Sequence, residues 1–235
     1  MKVTLIIPTL NEIGGMKIIM PRIKREWVDQ ILFIDGGSTD GTIEYARENG
    51  YSIVIQKKYG LRNAYVEALE HAEGDVIITF SPDGNSIPEL IPALIEKMRE
   101  GYDMVIASRY AEGAKSYDDD LITSFGNWVY ITLINLLYGS SYTDIAVMFR
   151  AWKKEIFYQL ELGEDYTYAF EERIFNKEVG GIEPLLCIRA AKRKLKCVDI
   201  PGDEPVRLSG VRKLHILRWG ATHFIQIFKD KLFWR

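Results

Sequence analysis

At 235 residues the chain is long for one domain and short for two, and its 27% charged and 47% hydrophobic residues suit a soluble globular fold, not a disordered or fibrous one. The net charge of −3 conceals an asymmetry: from Arg212 onward six Lys or Arg stand against one acid, so that segment carries +5 and residues 1–211 carry −8. An acidic body argues against a nucleic-acid binder, and a basic end on such a body points to an anionic surface as partner.

Two cysteines, Cys187 and Cys197, are too few for a zinc site or a disulfide framework and read as reduced core thiols, which places the protein in the cytoplasm. The first apolar run, Val3 to Ile7, is too short for a signal peptide. Leu121 to Gly139 is the nearest approach to a membrane span, but Asn127, Asn135 and several hydroxyls interrupt it.

Val3 to Ile7 has the pattern of a buried strand, stopped at Pro8-Thr9-Leu10-Asn11-Glu12. Helical spacing follows through Met16, Ile19, Ile23 and Trp27. Gln30 to Ile34 predicts a second strand, which ends in Asp35-Gly36-Gly37-Ser38-Thr39-Asp40-Gly41-Thr42, with Thr39 or Asp40 as the cap of the next helix, Ile43 to Asn49. A third strand, Ser52 to Gln56, precedes a helix from Arg62 to Ala72. Val76 to Phe80 is apolar and β-branched, as a strand buried on both faces must be, and breaks at Ser81-Pro82-Asp83-Gly84-Asn85. A helix from Pro88 to Gly101 and a strand from Tyr102 to Ala107 complete five strands alternating with four helices. The prediction is an α/β fold: a Rossmann-like, doubly wound, mainly parallel sheet flanked by helices. Glu12, Asp35 and Asp83 all fall at strand ends, where such sheets bind ligands. Asp83 and Asn85 are hard oxygen donors two residues apart, suited to a shared divalent cation. No dinucleotide fingerprint or P-loop is present.

Beyond residue 110 the pattern loosens. A polar loop over 111–120 leads to a long apolar helix, Leu121 to Tyr138. Ala146 to Ala151 predicts a strand, Lys153 to Glu161 and Tyr168 to Val179 helices, Lys194 to Ile200 a strand, and Pro201 to Gly210 a loop. Arg212 to Trp234 predicts an amphipathic helix with Leu214, Leu217, Ala221, Phe224, Phe228 and Leu232 as its apolar stripe.

These motifs, in this order, resemble the family 2 glycosyltransferases of GT-A fold, and among them the dolichol-phosphate mannose synthase-like group. The resemblance rests on Ile6–Glu12, Asp35–Thr42, Gly60–Ala64, Ala72–Asp75, Ser81–Asn85 with Pro88-Glu89, Ala107–Tyr110, Thr143-Asp144 with Phe149–Ala151, and Arg207–Lys213. It implies one GT-A domain over residues 1–213, with a nucleotide-sugar half (1–110) and an acceptor half (111–213), followed by a basic amphipathic helix at 214–235. It implies a nucleotide-diphospho-sugar bound by Pro8, Leu10, Glu12, Asp35, Gly37, Arg62, Asp83 and Arg109, with Asp35 on the base and Asp83 towards the diphosphate. It implies Mn²⁺ or Mg²⁺ at Asp83 and Asn85, and catalytic roles for Asp83, Asp144, Arg207 and Lys213. Charge that builds on a departing nucleotide diphosphate is offset by such a cation and by Arg or Lys.

The sequence departs from the family pattern in three places. Ser81 stands where the family has its first Asp, which weakens metal binding; Arg212 stands where the late motif has Ser; and Asp118-Asp119-Asp120 replace an arginine-rich stretch. The resemblance implies inverting transfer to polyprenyl phosphate, by a peripheral enzyme on the inner face of the cell membrane. A phosphate acceptor is already anionic and needs no base. Transfer to a glycan hydroxyl is the alternative, with Asp144, Glu171 or Glu172 as base. A non-catalytic nucleotide-sugar-binding protein is the reading that Ser81 motivates. The helix 121–138 and the basic, aromatic final helix serve either a membrane interface or packing, on the core or in a homodimer.

Overall fold

The computed structural model describes residues 1–118, 121–175, 182–208 and 216–234. In chain order these form β1 (Val3–Thr9), α1 (Ile13–Ile19), β2 (Gln30–Asp35), α2 (Thr42–Glu48), β3 (Ser52–Ile55), α3 (Leu61–His71), β4 (Val76–Thr79), α4 (Ile91–Arg99) and β5 (Met104–Ser108). Then come α5 (Leu121–Tyr138), β6 (Arg150–Lys153), α6 (Lys154–Gln159), α7 (Asp165–Phe175), α8 (Glu183–Lys192), β7 (Cys197–Pro201) and α9 (Ile216–Leu232).

The strands make one seven-stranded sheet in the order β3-β2-β1-β4-β6-β5-β7. All neighbours are parallel except β6, which runs antiparallel to both β4 and β5. The period of two in each strand sends alternate residues to two cores. Ile6, Ile34, Ile77, Ile106 and Trp152 face α3, α5, α6, α7, α8 and α9. Leu5, Ile7, Phe33, Ile78 and Val105 face α1, α2 and α4. Both faces are covered, so the parallel strands read as unbroken apolar runs.

Several boundaries differ from the sequence expectation. The first helix stops at Ile19, because Pro21 follows in a 3₁₀ turn. The cap of α2 is Gly41 at φ 98°, and Asp40 acts from one residue earlier, accepting from Thr42 N–H at 3.0 Å. The strand expected at Ala146–Ala151 starts only at Arg150. Phe149 meets Phe80 edge-on at 5.1 Å, and the buried Arg150 donates to the carbonyls of Ile145, Val147 and Glu183 and to Cys187 Sγ. That arginine fastens β6 to α8, a helix with no counterpart in the sequence expectation.

α9 inverts the expected amphipathicity. Ala221, Phe224, Phe228 and Leu232 lie outward, Leu232 being 71% exposed. Thr222, Gln226 and Asp230 are buried instead, beside Ile227 and Trp234. Specific contacts hold the polar stripe in. Asp230 accepts from Arg189 Nε at 2.6 Å, Trp234 covers the Arg189 guanidinium, Lys229 pairs with the buried Glu171 at 2.6 Å, and Tyr138 Oη donates to the Ile227 carbonyl at 2.5 Å. No helix among the described residues is long and apolar enough to cross a membrane.

Candidate active site

The carboxyl ends of β1, β2, β4 and β5 lie along one edge of the sheet, with the amino end of the antiparallel β6 between the last two, and the loops there build one crevice. At β1 and β2 two loops are laced together. Asn11, at φ 57°, accepts from Thr39 N–H through its side chain and donates its own N–H to Ser38 Oγ at 2.8 Å. Glu12 N–H donates to Thr42 Oγ1 at 2.9 Å. Pro8, Leu10 and Glu12 are half-buried on this rim. Gly37 is exposed at φ 94°, with open space where a side chain would be.

Asp35 was expected to bond a nucleobase, but its carboxylate is fully buried and already saturated. It accepts from the N–H groups of Gly37 and Ser38 at 2.9 and 2.7 Å, and from the hydroxyls of Thr9 and Ser38 at 2.7 and 2.6 Å. Its role in this structure is to build the turn that places Gly37. Arg62 is also internal. Its guanidinium lies 4.4 Å from the Tyr168 ring centroid and 3.3 Å from both Asp165 and Glu172, so it ties α3 to α7.

Asp83 ends β4's turn as a buried carboxylate. Gly84 takes φ +91°, and Leu208 lies so close that a Cβ there would sit 2.5 Å from Leu208 Cγ. Leu208 N–H donates to the Asp83 carbonyl at 2.8 Å. The segment 204–208 is therefore seated on this turn. Arg207 Nη1 lies 3.2 Å from Asp83 Oδ2, and Arg207 Nε lies 3.7 Å from Asp118 Oδ2. With its amide oriented to satisfy its neighbours, Asn85 donates to Asp83 Oδ1 at 2.6 Å and accepts from Arg207 Nη2 at 3.1 Å. Asp83, Asn85 and Arg207 thus meet, and Asp118 joins them. The sequence signal for Asp118 was the acidic run itself; Asp119 and Asp120 lie outside the described residues, as do Arg212 and Lys213.

Asp144 is fully buried and spends both oxygens. Oδ2 accepts from Arg109 Nε at 2.6 Å and Arg109 N–H at 3.3 Å; Oδ1 accepts from Arg109 Nη2 at 3.1 Å and Ala146 N–H at 3.0 Å. Burial alone would raise this carboxyl, but Arg109 outweighs it and holds Asp144 below the usual carboxylate range. Burial likewise works against the charge on Arg109, yet Asp144 and Glu204 raise its affinity for the proton. Arg109 Nη1 reaches Glu204 at 3.2 Å, and Glu204 also accepts from Ser116 Oγ, so the β5 end is locked to segment 204–208. Asp144 is a positioning residue here, not an accessible base. Glu171 is held by Lys229 and Glu172 by Arg62.

Among the described residues no three His, Cys, Asp or Glu gather as a metal cage. Two oxygen donors aimed at one cationic group still fit a divalent ion of the kind that takes one or two protein ligands and completes its shell from phosphate and water. The described cations of the crevice, Arg109 and Arg207, are both engaged by carboxylates.

The family described as "Glycosyl transferase family 2" matches residues 4–160, which carry β1 to β6 and the turn at Asp83. The chain belongs to the family 2 glycosyltransferases. This glycosyltransferase is 28% identical over 232 residues to glycosyltransferase AglJ of Haloferax volcanii, across 97% of this chain and 71% of that protein. It is 36% identical over 123 residues to the dolichol-phosphate mannosyltransferase of Pyrococcus furiosus, across 49% of this chain and 35% of the relative. It is 30% identical over 169 residues to the undecaprenyl-phosphate 4-deoxy-4-formamido-L-arabinose transferase of Salmonella choleraesuis, across 66% of this chain and 50% of the relative. The matches thus span half or less of those last two relatives. In fold it is similar to glucosyl-3-phosphoglycerate synthase from Mycobacterium tuberculosis, solved with Mn²⁺, UDP and phosphoglyceric acid, with a TM-score of 0.65 at 16% identity over 98% of this chain and 78% of that one. The GT-A fold class therefore stands.

Proposed function

We propose that this glycosyltransferase moves a sugar, with inversion, from a nucleotide diphosphate to a polyprenyl phosphate at a membrane surface. The observation that carries the acceptor class is the state of the carboxylates. Asp144, Glu171 and Glu172, the three that could have served a hydroxyl acceptor as base, are each held by a cation. A phosphate oxygen is nucleophilic without deprotonation, so it needs none of them. The outward stripe of α9, with Phe125, Trp128 and Leu136 exposed on α5, supplies an apolar, aromatic surface, and the +5 charge of residues 212–235 suits anionic lipid. Two curated relatives bear names that state transfer on dolichol or undecaprenyl phosphate.

In this reading the rim of Pro8, Leu10, Glu12 and Gly37 receives the nucleoside, and Asp83 and Asn85 hold a divalent ion whose charge offsets that of the leaving diphosphate. Arg207, with Lys213, supplies the protein's own positive charge there. Arg109 keeps the β5 end in place through Asp144 and Glu204.

Asp118 favours a second reading, transfer to a glycan hydroxyl. It is the one carboxylate beside Asp83 and Arg207, among the described residues, that the sequence had not proposed as a base. Asp118→Asn separates the two readings. Product formation is measured with radiolabelled nucleotide-sugars against polyprenyl phosphate in detergent and against oligosaccharide. We expect label in an acid-labile lipid product, with Asp118→Asn within about threefold of wild type. Loss of about 100-fold or more on a hydroxyl acceptor, the scale of a missing general base, and no lipid product would refute the phosphate reading. NMR of the product anomer tests inversion.

A further inference from the structure

The turn after β4 is occupied by a cation of the protein's own. Arg207 meets Asp83 Oδ2 at 3.2 Å and the Asn85 amide oxygen at 3.1 Å, and these are the two donors a divalent ion would need. The contact is built in. Leu208 N–H bonds the Asp83 carbonyl, Leu208 packs onto Gly84, where only a glycine leaves room, and Asp118 steadies the Arg207 guanidinium from the other side. Arg207 side-chain exposure is 25%, so this is no solvated surface pair.

We infer that Arg207 and a divalent ion exclude each other at Asp83, so that without nucleotide the guanidinium is the resident counter-ion and closes the metal position. Both need the same oxygens, and two cations facing those oxygens repel. The inference rests on Asp83 and Asn85 being the ion's ligands. It has a functional consequence. Arrival of the ion frees Arg207 from Asp83, and the freed guanidinium can then turn to the diphosphate. Metal binding and release of the Arg207 side chain are thereby linked, each favouring the other.

The test needs neither sugar nor acceptor. Mn²⁺ binding to the purified protein is measured by the EPR signal of the free ion, without nucleotide, for wild type, Arg207→Ala, Arg207→Lys and Asp83→Asn. Loss of a charge-assisted contact that competes with the ion should tighten Mn²⁺ binding about tenfold in Arg207→Ala. Arg207→Lys keeps the charge but loses the planar fork, and it should also bind more tightly than wild type. Asp83→Asn should abolish binding. Equal or weaker affinity in Arg207→Ala overturns the exclusion, while the ligand assignment survives if Asp83→Asn still abolishes binding. Mn²⁺ bound undiminished by Asp83→Asn overturns the inference through its premise. Sugar transfer can fail in all these proteins without touching the result, which keeps this test apart from that of the proposed reaction.

Discussion

Replacing Asp144 with Asn distinguishes a residue that positions from one that reacts. Every atom against the Asp144 oxygens is a donor: three nitrogens of Arg109 and the N–H groups of Ala146 and Val147. Whichever way the amide turns, its NH₂ faces at least two of them. Removing one partner of a buried ion pair costs about 3–5 kcal/mol, and the low end applies because Glu204 still engages Arg109. At roughly 2–4 °C per kcal/mol for a chain of this size, the melting temperature should fall by roughly 6–12 °C. The pH dependence has a definite sign. A carboxyl whose folded pKa lies below its ordinary 3.8 stabilises fully above that value and loses its effect as pH falls through the folded pKa. The gap between wild type and Asp144→Asn should therefore hold from neutrality down to about pH 4 and close below it. Thermal unfolding followed by circular dichroism at stepped pH gives both numbers. An Asp144→Asn protein that melts like wild type yet has lost transfer activity would refute the positioning role.

Two further outcomes follow from packing. Gly74→Ala places a Cβ 2.5 Å from Thr4 N and 2.9 Å from Lys2 O, backbone atoms of the β1 end that pairs with β4. It should cost about 3 kcal/mol or more, seen as insoluble expression or a collapsed denaturant midpoint; a midpoint within error of wild type would show that β1 yields freely. Phe228→Ser with Leu232→Ser removes apolar surface from α9, half-buried at Phe228, and should cost the fold about 1–2 kcal/mol while lowering partition to anionic vesicles by about tenfold. Equal co-sedimentation of the double variant would remove α9 from the membrane argument.

What could be read in advance follows from the range of the contacts involved. The nucleotide half is built of consecutive strand–helix units, so local period and turn chemistry were enough to place β1 to β5 and the turn at Asp83. α8 escaped notice because it is buried all round: Leu185, Leu186, Cys187, Ile188 and Ala190 are inaccessible, and Arg189 joins them through Asp230, so no amphipathic period marks it. The inversion of α9 escaped for the converse reason. An apolar stripe normally faces a core, and here Thr222, Gln226 and Asp230 face inward because partners from α7 and α8 bind Asp230 and its neighbour Lys229. The bound state of Asp35, Arg62 and Asp144 was equally out of reach. Each motif announced a charge, but which partner consumes that charge depends on residues from 2 to 110 positions away.

The charges that do meet in the crevice constrain how it can work. Asp83, Asp118, Asp144 and Glu204 stand against Arg109 and Arg207, so these six groups sum to −2. A diphosphate entering that field is repelled unless positive charge comes with it. Asp83 and Asn85 are few protein ligands for an ion, so an ion already chelated by the diphosphate is a better visitor than either alone. The free protein would then hold Arg207 on Asp83 until such a pair arrives, and bare Mn²⁺ would bind less tightly than Mn²⁺ in the presence of the cognate nucleotide diphosphate. Titrating Mn²⁺ at saturating UDP, GDP, CDP or dTDP measures that difference and names the base; equal Mn²⁺ affinity with every nucleotide and with none would show that the crevice does not couple ion and donor.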